Sequence, residues 1–360
     1  MTTTPSLRKV ERIVAAAIQA PSGDNCQPWR FDWDGRTLTV LHDAQRAEHP
    51  LDAGRVGSEL ALGCVLESVE IAADAEGLQA EASLHLAEPR SPAWATIRFE
   101  PGASGRARLL RALGRRTTDR RLYRPGSLEH PVFERLRAIS HTPEHRVHVL
   151  APPTDELLEF LVAMDAFVLR TPSVYEGAAR WLRITQREVE ETRDGVSWRN
   201  LGLDLPELRA LRWMRAPSAR ALALALGGTR ATAFWLRRQL ASSTALLLFT
   251  SRRPQGEGVV EVGRMAMTAW LELTEVDYGV QPLSLQSALI LAEHEDTLPP
   301  DAAPEFRPLL RQGRRLLAQR LGLADDELPV WMLRTGPSSS LPEHCRTLRL
   351  PVDARLSTSA

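Results

Sequence analysis

Residues 20–31, APSGDNCQPWRF, follow a helix-like segment with a run of small polar groups. Ser22, Gly23 and Asn25 can turn main-chain N–H groups and an amide toward a planar polar ligand, while Pro28 and Trp29 fix the exit of the loop. An ordinary helix end and turn closed by a core tryptophan accounts for the same residues. A second segment, Arg115-Arg116-Thr117-Thr118-Asp119-Arg120-Arg121, alternates forked guanidiniums with hydroxyls beside a helix start. Such an array suits a phosphate, whose oxygens accept from arginine forks, hydroxyls and free helix N–H groups together. A solvated charge run, with Asp119 as its internal partner, is the competing account. A third segment, residues 278–284 (YGVQPLS), joins two elements through Gly and Pro. Near the end of the chain, Arg346 and Arg349 in CRTLRLP would be further phosphate partners if the tail folds back, though surface arginines need no such role.

Other chemistries fit poorly. His141, His145 and His148 have no cysteine or carboxylate at a metal-ligand spacing, and two of them fall on opposite faces of a strand, so no metal site is expected. No G-x-S-x-G elbow or Walker loop occurs, and Gly256-x-Gly258 lacks the third glycine of a dinucleotide fingerprint. Trp181, Trp198, Trp213 and Trp235 stand near arginines and could stack on ligands, but burial in a helical insertion is the expectation.

The elements that must position these residues follow from periodicity. Residues 7–20 carry Leu7, Val10, Ile13, Val14 and Ile18 at helical spacing, and Pro21 stops them. Residues 30–33 and 37–41 around Asp34-Gly35 read as a hairpin. Residues 58–76 form a long apolar helix ended by Gly77, whose small Ala61, Gly63 and Cys64 permit close packing, and residues 80–86 a strand. A Pro/Gly/Ser-rich connector over 89–105 marks the boundary between two halves. Beyond it come helices at 107–114 and 129–140, a strand at 147–150, and helices over 155–240 broken at Pro172, Asp194-Gly195 and Pro217. A strand at 244–250, a buried helix at 259–276 ended near Gly279, an extended piece at 279–283 and a strand at 330–334 precede an irregular tail. Mixed elements without strict βαβ alternation indicate an α+β fold, and the two helix–glycine–strand units echo one another as in a duplication.

The chain has 360 residues, 45 Lys+Arg and 45 Asp+Glu, so no net field gathers polyanions and no nucleic-acid partner is expected. With 43% hydrophobic and 25% charged residues it reads as a folded globular protein. Cys26, Cys64 and Cys345 are too few and too scattered for a disulfide framework, which fits a reducing compartment. MTTTPSLRKVERIV has no signal-peptide core, and the longest apolar stretches, near 222–226 and 245–249, are far below spanning length. The expected setting is the cytoplasm, without a membrane partner.

Together these motifs resemble the flavin-dependent nitroreductase superfamily, in its tandem two-repeat, Acg-type form. APSGDNCQPWRF looks like that family's PS-x-x-N-x-QPW flavin loop, and RRTTDRRLYRPGS resembles the Arg-Arg-Ser/Thr turn that grips the flavin phosphate. Residues 259–284 are similar to the central helix and the strip along the isoalloxazine, and PVWMLRTG to the last strand. The resemblance implies a nitroreductase-like fold of two fused repeats, a pseudo-dimer with mixed or antiparallel sheets flanked by helices. Residues 1–100 would be the half with the PS-x-x-N loop, and 101–360 the half with the phosphate turn and an insertion at 155–240 as a lid. Each half lacks the motif the other keeps, so one FMN would lie between them in a monomer. By the same resemblance Pro21, Ser22, Gly23, Asn25 and Gln27 would face Arg116, Arg120 and either Thr117 or Thr118. Gln281, Pro282, Leu283 and Ser284 would line the ring, and Arg346 or Arg349 would reach the phosphate. The implied activity is ping-pong, NAD(P)H-driven reduction of a nitroaromatic, quinone or similar electron-poor small molecule, with no side-chain acid or base required. Two other activities stay open: a flavin-dependent dehydrogenase or oxidase of a small or peptide-derived metabolite, and a non-catalytic FMN-sequestering protein.

Overall fold

A computed structural model describes residues 5–52, 54–86, 92–139 and 142–359. The fold is α+β, built on two sheets. The first has the order Leu356–Thr358, Trp29–Trp33, Thr37–His42, Ala93–Pro101, Leu78–Leu84, and only the short Leu356–Thr358 strand runs parallel to its neighbour. The second has the order His145–Leu150, Ala245–Ser251, Leu328–Pro337, Tyr278–Pro282, antiparallel throughout. Without the tail strand, each sheet places its strands first, second, fourth, third, with a long helix between the second and third. The two halves therefore share one topology. They differ in what joins their strands: the Asp34–Arg36 turn of the first half corresponds to residues 151–244 of the second, and the short link before Ala93 to residues 283–327 with two helices.

Val56–Ala75 and Glu257–Glu275 are the two corresponding helices, and they cross at main-chain contact. A Cβ on Gly63 would lie 2.0 Å from the Val260 carbonyl oxygen, and one on Gly263 2.3 Å from that of Leu60. The Cys64 thiol donates to the Gly263 carbonyl at 3.3 Å. Val56–Ala75 is buried on nearly every side, which explains its unbroken apolar run. The carboxylates it buries are matched: Glu67 meets Arg106 and Arg264, and Asp74 accepts from the N–H groups of Ser104 and Ala107.

One core spans both halves through this helix pair. A second lies on the outer face of the second sheet, under Glu156–Arg170, Gly228–Ala241, Ser284–His294 and Phe306–Leu321. Ala245–Ser251 divides between them, with Leu247 and Phe249 in the first core and Leu246 and Leu248 in the second, so its sequence is apolar without alternation. Much of the 155–240 insertion is thus a packing layer.

Four local expectations change. The connector at 89–105, of which 89–91 lie outside the described residues, contains the strand Ala93–Pro101; its Ile97 and Phe99 are buried while Arg98 and Glu100 face out, an alternation hidden by flanking Pro and Gly. The tail is not irregular to its end, because Leu356–Thr358 returns to pair with Trp29–Trp33. The second long helix turns off at Asp277 (φ 58°), not at Gly279, whose missing Cβ instead leaves room for Tyr123 and Asp119. Pro131–Arg137 is shorter than the 129–140 helix anticipated, and Ser140 lies outside the described residues. Among the described residues no helix is long and apolar enough to cross a membrane.

Candidate functional site

After helix Leu7–Ala17, Pro21 redirects the chain and Ser22 Oγ accepts from the Gln27 N–H at 2.9 Å. Inside that turn Asp24, Asn25 and Gln27 take φ of 47°, 56° and 53°. Such conformations in residues with side chains persist only where surroundings hold them. Here the hold comes from afar. Asn25 Nδ2 donates to the carbonyls of Gly195 (3.1 Å) and Leu348 (3.0 Å), and its Oδ1 accepts from Arg349 Nη1 at 2.7 Å. Gln27 Nε2 donates to Arg193 O at 3.0 Å and its Oε1 accepts from Leu350 N at 2.8 Å. Both amides are buried and spent on holding the loop, the insertion and the tail together. Gly23 stays open, with no atom within 4 Å of where its Cβ would be.

Opposite this loop, Thr118 bridges Val280 and the Asp119 N–H donates to Val280 O, which extends the cationic turn. In extended chain successive side chains alternate. Arg116, Thr118 and Arg120 share one face, and Thr117 and Asp119 the other, where Thr117 lines a cleft with Arg115, Asp277 and Ser338. Arg116 is buried, donates through Nη2 to Gln19 O at 2.9 Å, and lies 4.5 Å over the Trp270 ring. Arg349 donates to Ala20 O at 3.3 Å, and Arg346 to Gly114 O at 2.6 Å. The tail has folded back.

Arg116 and Arg349 thus converge on the end of the first helix, and Arg346 repels both of them. Loss of water, opposed only weakly by Cys64 and compounded by Arg346, lowers Arg116 to about 10. Loss of water and then repulsion from Arg116 and Arg346 lower Arg349 to about 9. No carboxylate figures among the charges acting on either, and the Nε of each is buried without a hydrogen-bond partner. A half-buried cation cluster with two N–H donors to spare is the electrostatic complement of an anion with several oxygens.

Arg120 donates to Asn200 O at 3.0 Å, and Asp24 is the opposite charge that acts on it most. Asp24 keeps open surface, yet desolvation raises its carboxyl, with His49 and Arg120 pulling the other way.

The 281–284 strip is less available. Gln281 Oε1 accepts from Arg334 Nε at 2.7 Å, and Arg334, fully buried over the Tyr123 ring at 4.2 Å, also donates to the carbonyls of Gln239 and Arg121. Ser284 Oγ accepts from Trp331 Nε1 at 2.8 Å. Leu283 is packed in the second core, and Pro282 is half-buried.

Sequence reasoning missed the segment that covers the loop. Asp194 accepts from Arg46 and Arg183, each at 2.5 Å, and Arg46 Nε also donates to Cys26 O at 2.6 Å. Burial opposes ionisation of Asp194, but the two guanidiniums outweigh it and hold the carboxyl below its ordinary range. Gly195 N–H donates to Asn25 O at 3.3 Å and Asn200 Nδ2 to Cys345 O at 2.7 Å. Residues 193–200 form a strap across the loop, and Asp194-Gly195, noted only as a helix break, was its sole local signal. His145 and His148 hydrogen-bond to Ser251 and Thr250, each at 3.0 Å, and His141 lies outside the described residues.

No family model matches the chain. A Mycobacterium tuberculosis protein described as uncharacterized is 27% identical over 339 residues, which are 92% of this chain and 46% of that protein. The chain spans about half the length of that curated relative. The solved structure of the FMN-dependent nitroreductase NfnB from Mycobacterium smegmatis, in complex with NADPH, is 15% identical and covers 71% of this chain and 97% of its own, with a TM-score of 0.38. A nitroreductase with bound FMN from Desulfitobacterium hafniense is 12% identical, covering 70% and 98%, with a TM-score of 0.37.

Proposed function

We propose that the chain is an FMN-dependent oxidoreductase that uses NAD(P)H to reduce a small electron-poor molecule such as a nitroaromatic or quinone. The observation that carries this is the convergence of Arg116, Arg346 and Arg349 without an acidic partner, beside the PS-x-x-N loop. A buried Nε left without a partner on two of the three fits the terminal phosphate of a mononucleotide. When bound, the flavin supplies two-electron exchange between the nicotinamide and the acceptor.

The chain's own residues then divide the remaining work. Arg116, Arg346 and Arg349 neutralise the phosphate, with Thr118 on the same face of the turn as Arg116. Arg120 shares that face, with Asp24 as a counter-charge, and positive charge there favours electron-rich states of whatever lies against it. Gln281 and Ser284 are committed to Arg334 and Trp331, so a ring would meet that strip through Pro282 and main-chain groups. Asn25 and Gln27 act at one remove, by holding strap and tail over the loop. The two halves serve as the two subunits of an internal pseudo-dimer, with one site at their junction, in a monomeric protein.

An absorption spectrum of the purified protein tests the reading. Bound FMN gives a yellow protein, and NADPH added without oxygen bleaches it. A colourless protein that takes up no FMN when offered it overturns the reading, and a yellow protein that NADPH cannot bleach removes the reductase activity.

A further inference from the structure

The insertion has an outer side that the flavin reading does not use. Helices Leu205–Met214, Pro217–Ala225 and Gly228–Ala241 leave Leu205, Trp213, Leu222, Phe234 and Trp235 exposed, together with Leu226 at the end of the second, with Leu226 at 77% and Phe234 at 56%. Most of the exposed large hydrophobic side chains of the described residues fall on these three helices. Burial was expected for Trp213 and Trp235, and the structure overturns it: they are 49% and 46% exposed, because Pro217–Ala225 packs between its two neighbours and nothing covers their outer faces.

The charge is as uneven as the hydrophobicity. In a chain with no net charge, residues 205–241 hold seven arginines and one carboxylate, Glu207, which caps its own helix through Asp204. Arg237 is paired with Glu159, while Arg209 and Arg230 make no ion pair among the described residues. Arg238 lies over the rings of Phe234 and Trp235 at 5.8 and 5.4 Å.

We propose that this face docks on an anionic lipid surface, with the three helices lying in the interface and not across it. Apolar side chains flanked by cationic ones are what a helix needs to sink its hydrophobic face below the headgroups while arginines meet lipid phosphates, and tryptophan and phenylalanine belong at that depth. Pro217–Ala225, nine residues long, is far too short to span. A second copy of the chain is a poor occupant, because a two-fold contact would set this cationic face against itself. An acidic protein would meet the charge, but exposed Ala, Leu and aromatic side chains offer it few directional donors, whereas a fluid apolar layer needs none. The proposal departs from the expectation of no membrane partner and is independent of the flavin reading.

Sedimentation of the full chain with phosphatidylcholine vesicles, with and without phosphatidylglycerol, tests it. The chain should pellet with the anionic vesicles only, with a blue shift of tryptophan emission, and should be released by salt. Leu226→Asp, and separately Arg209→Gln with Arg230→Gln, should each lower partitioning about tenfold or more while leaving thermal unfolding and any bound flavin unchanged. No pelleting with anionic vesicles, equal pelleting with neutral ones, or full partitioning by both variants overturns it. So does an oligomer that Leu226→Asp disperses, which assigns the face to a second copy, or binding of soluble polyglutamate as tight as that of vesicles, which assigns it to an acidic protein.

Discussion

Arg349 Nη1 donates to Asn25 Oδ1 at 2.7 Å, one of several hydrogen bonds that join the tail of the chain to the loop after its first helix. The donor belongs to the crowded cation cluster, and the acceptor is held at a left-handed φ of 56°. Neither residue would settle as it does without the other, and Asn25 also ties the loop to the strap through Gly195. Loop, strap and cation cluster are therefore one unit.

Arg349→Met keeps the side chain's length and removes its charge. FMN affinity should fall by roughly 1.5–3 kcal/mol, the usual cost of losing a hydrogen bond to a charged group, or about 10–150-fold. Stability without ligand should change less, because Arg116 loses a repelling neighbour as Asn25 loses a partner. Inorganic phosphate should raise the melting temperature of the natural protein more than that of the variant. Equal flavin affinity by titration would take Arg349 out of the site.

Gly63→Ala should destabilise the whole molecule. The added Cβ would lie 2.0 Å from the Val260 carbonyl oxygen, inside a helix pair that both halves share, and neither backbone can retreat alone. A loss of about 3 kcal/mol or more is expected, at the upper end for overpacking, read as the shift of a denaturant midpoint. Gly23→Ala, with nothing within 4 Å of its Cβ, should stay within about 0.5 kcal/mol. Comparable midpoints for the two variants would mean that the helices do not meet this closely.

That contrast also marks what was legible in the sequence. Small residues at 61, 63 and 64 in an apolar helix announced a close crossing, since few other pressures put them there, and the cationic turn announced itself by composition. Ala93–Pro101 was hidden because its alternation sits among Pro and Gly that read as linker. Asn25 read as a group free to meet a ligand because its partners, Gly195 and Leu348, are 170 and 323 residues away, and no local pattern encodes them. The strap was invisible for the same reason, with Arg46 and Asp194 paired across 148 residues.

Glu59 sets a pH dependence. It is 3% exposed, and desolvation raises its carboxyl to about 7 despite Arg55 and the Gly256 N–H, against an ordinary 4.5. Between pH 4.5 and 7 the folded chain holds a proton that the unfolded chain has released, so this residue makes stability fall as pH rises through that window and level off above it. Glu59→Gln keeps an oxygen for Gly256 and removes the charge. Its advantage in urea unfolding should be about 1 kcal/mol at pH 5 and grow to about 3 kcal/mol at pH 8. An advantage independent of pH would show that Glu59 ionises normally.

Asp194→Asn should free the strap. The carboxylate is nearly buried between Arg46 and Arg183, and removing its charge leaves two guanidiniums facing a neutral amide. Removing one partner of a buried pair costs about 3–5 kcal/mol, and here that loss falls on a surface segment otherwise held by hydrogen bonds to the loop, the turn and the tail, so it should appear as local opening before global unfolding. Hydrogen exchange should quicken at residues 181–200 and at Asn25 and Gln27, which share hydrogen bonds with the strap, while Val56–Ala75 stays protected. If FMN lies beneath, its release and its rebinding should both speed up, because a cover changes the barrier for both directions, whereas Arg349→Met should speed release alone. A dissociation constant that weakens in step with the release rate would place Asp194 among the groups that bind the cofactor and not among those that cover it.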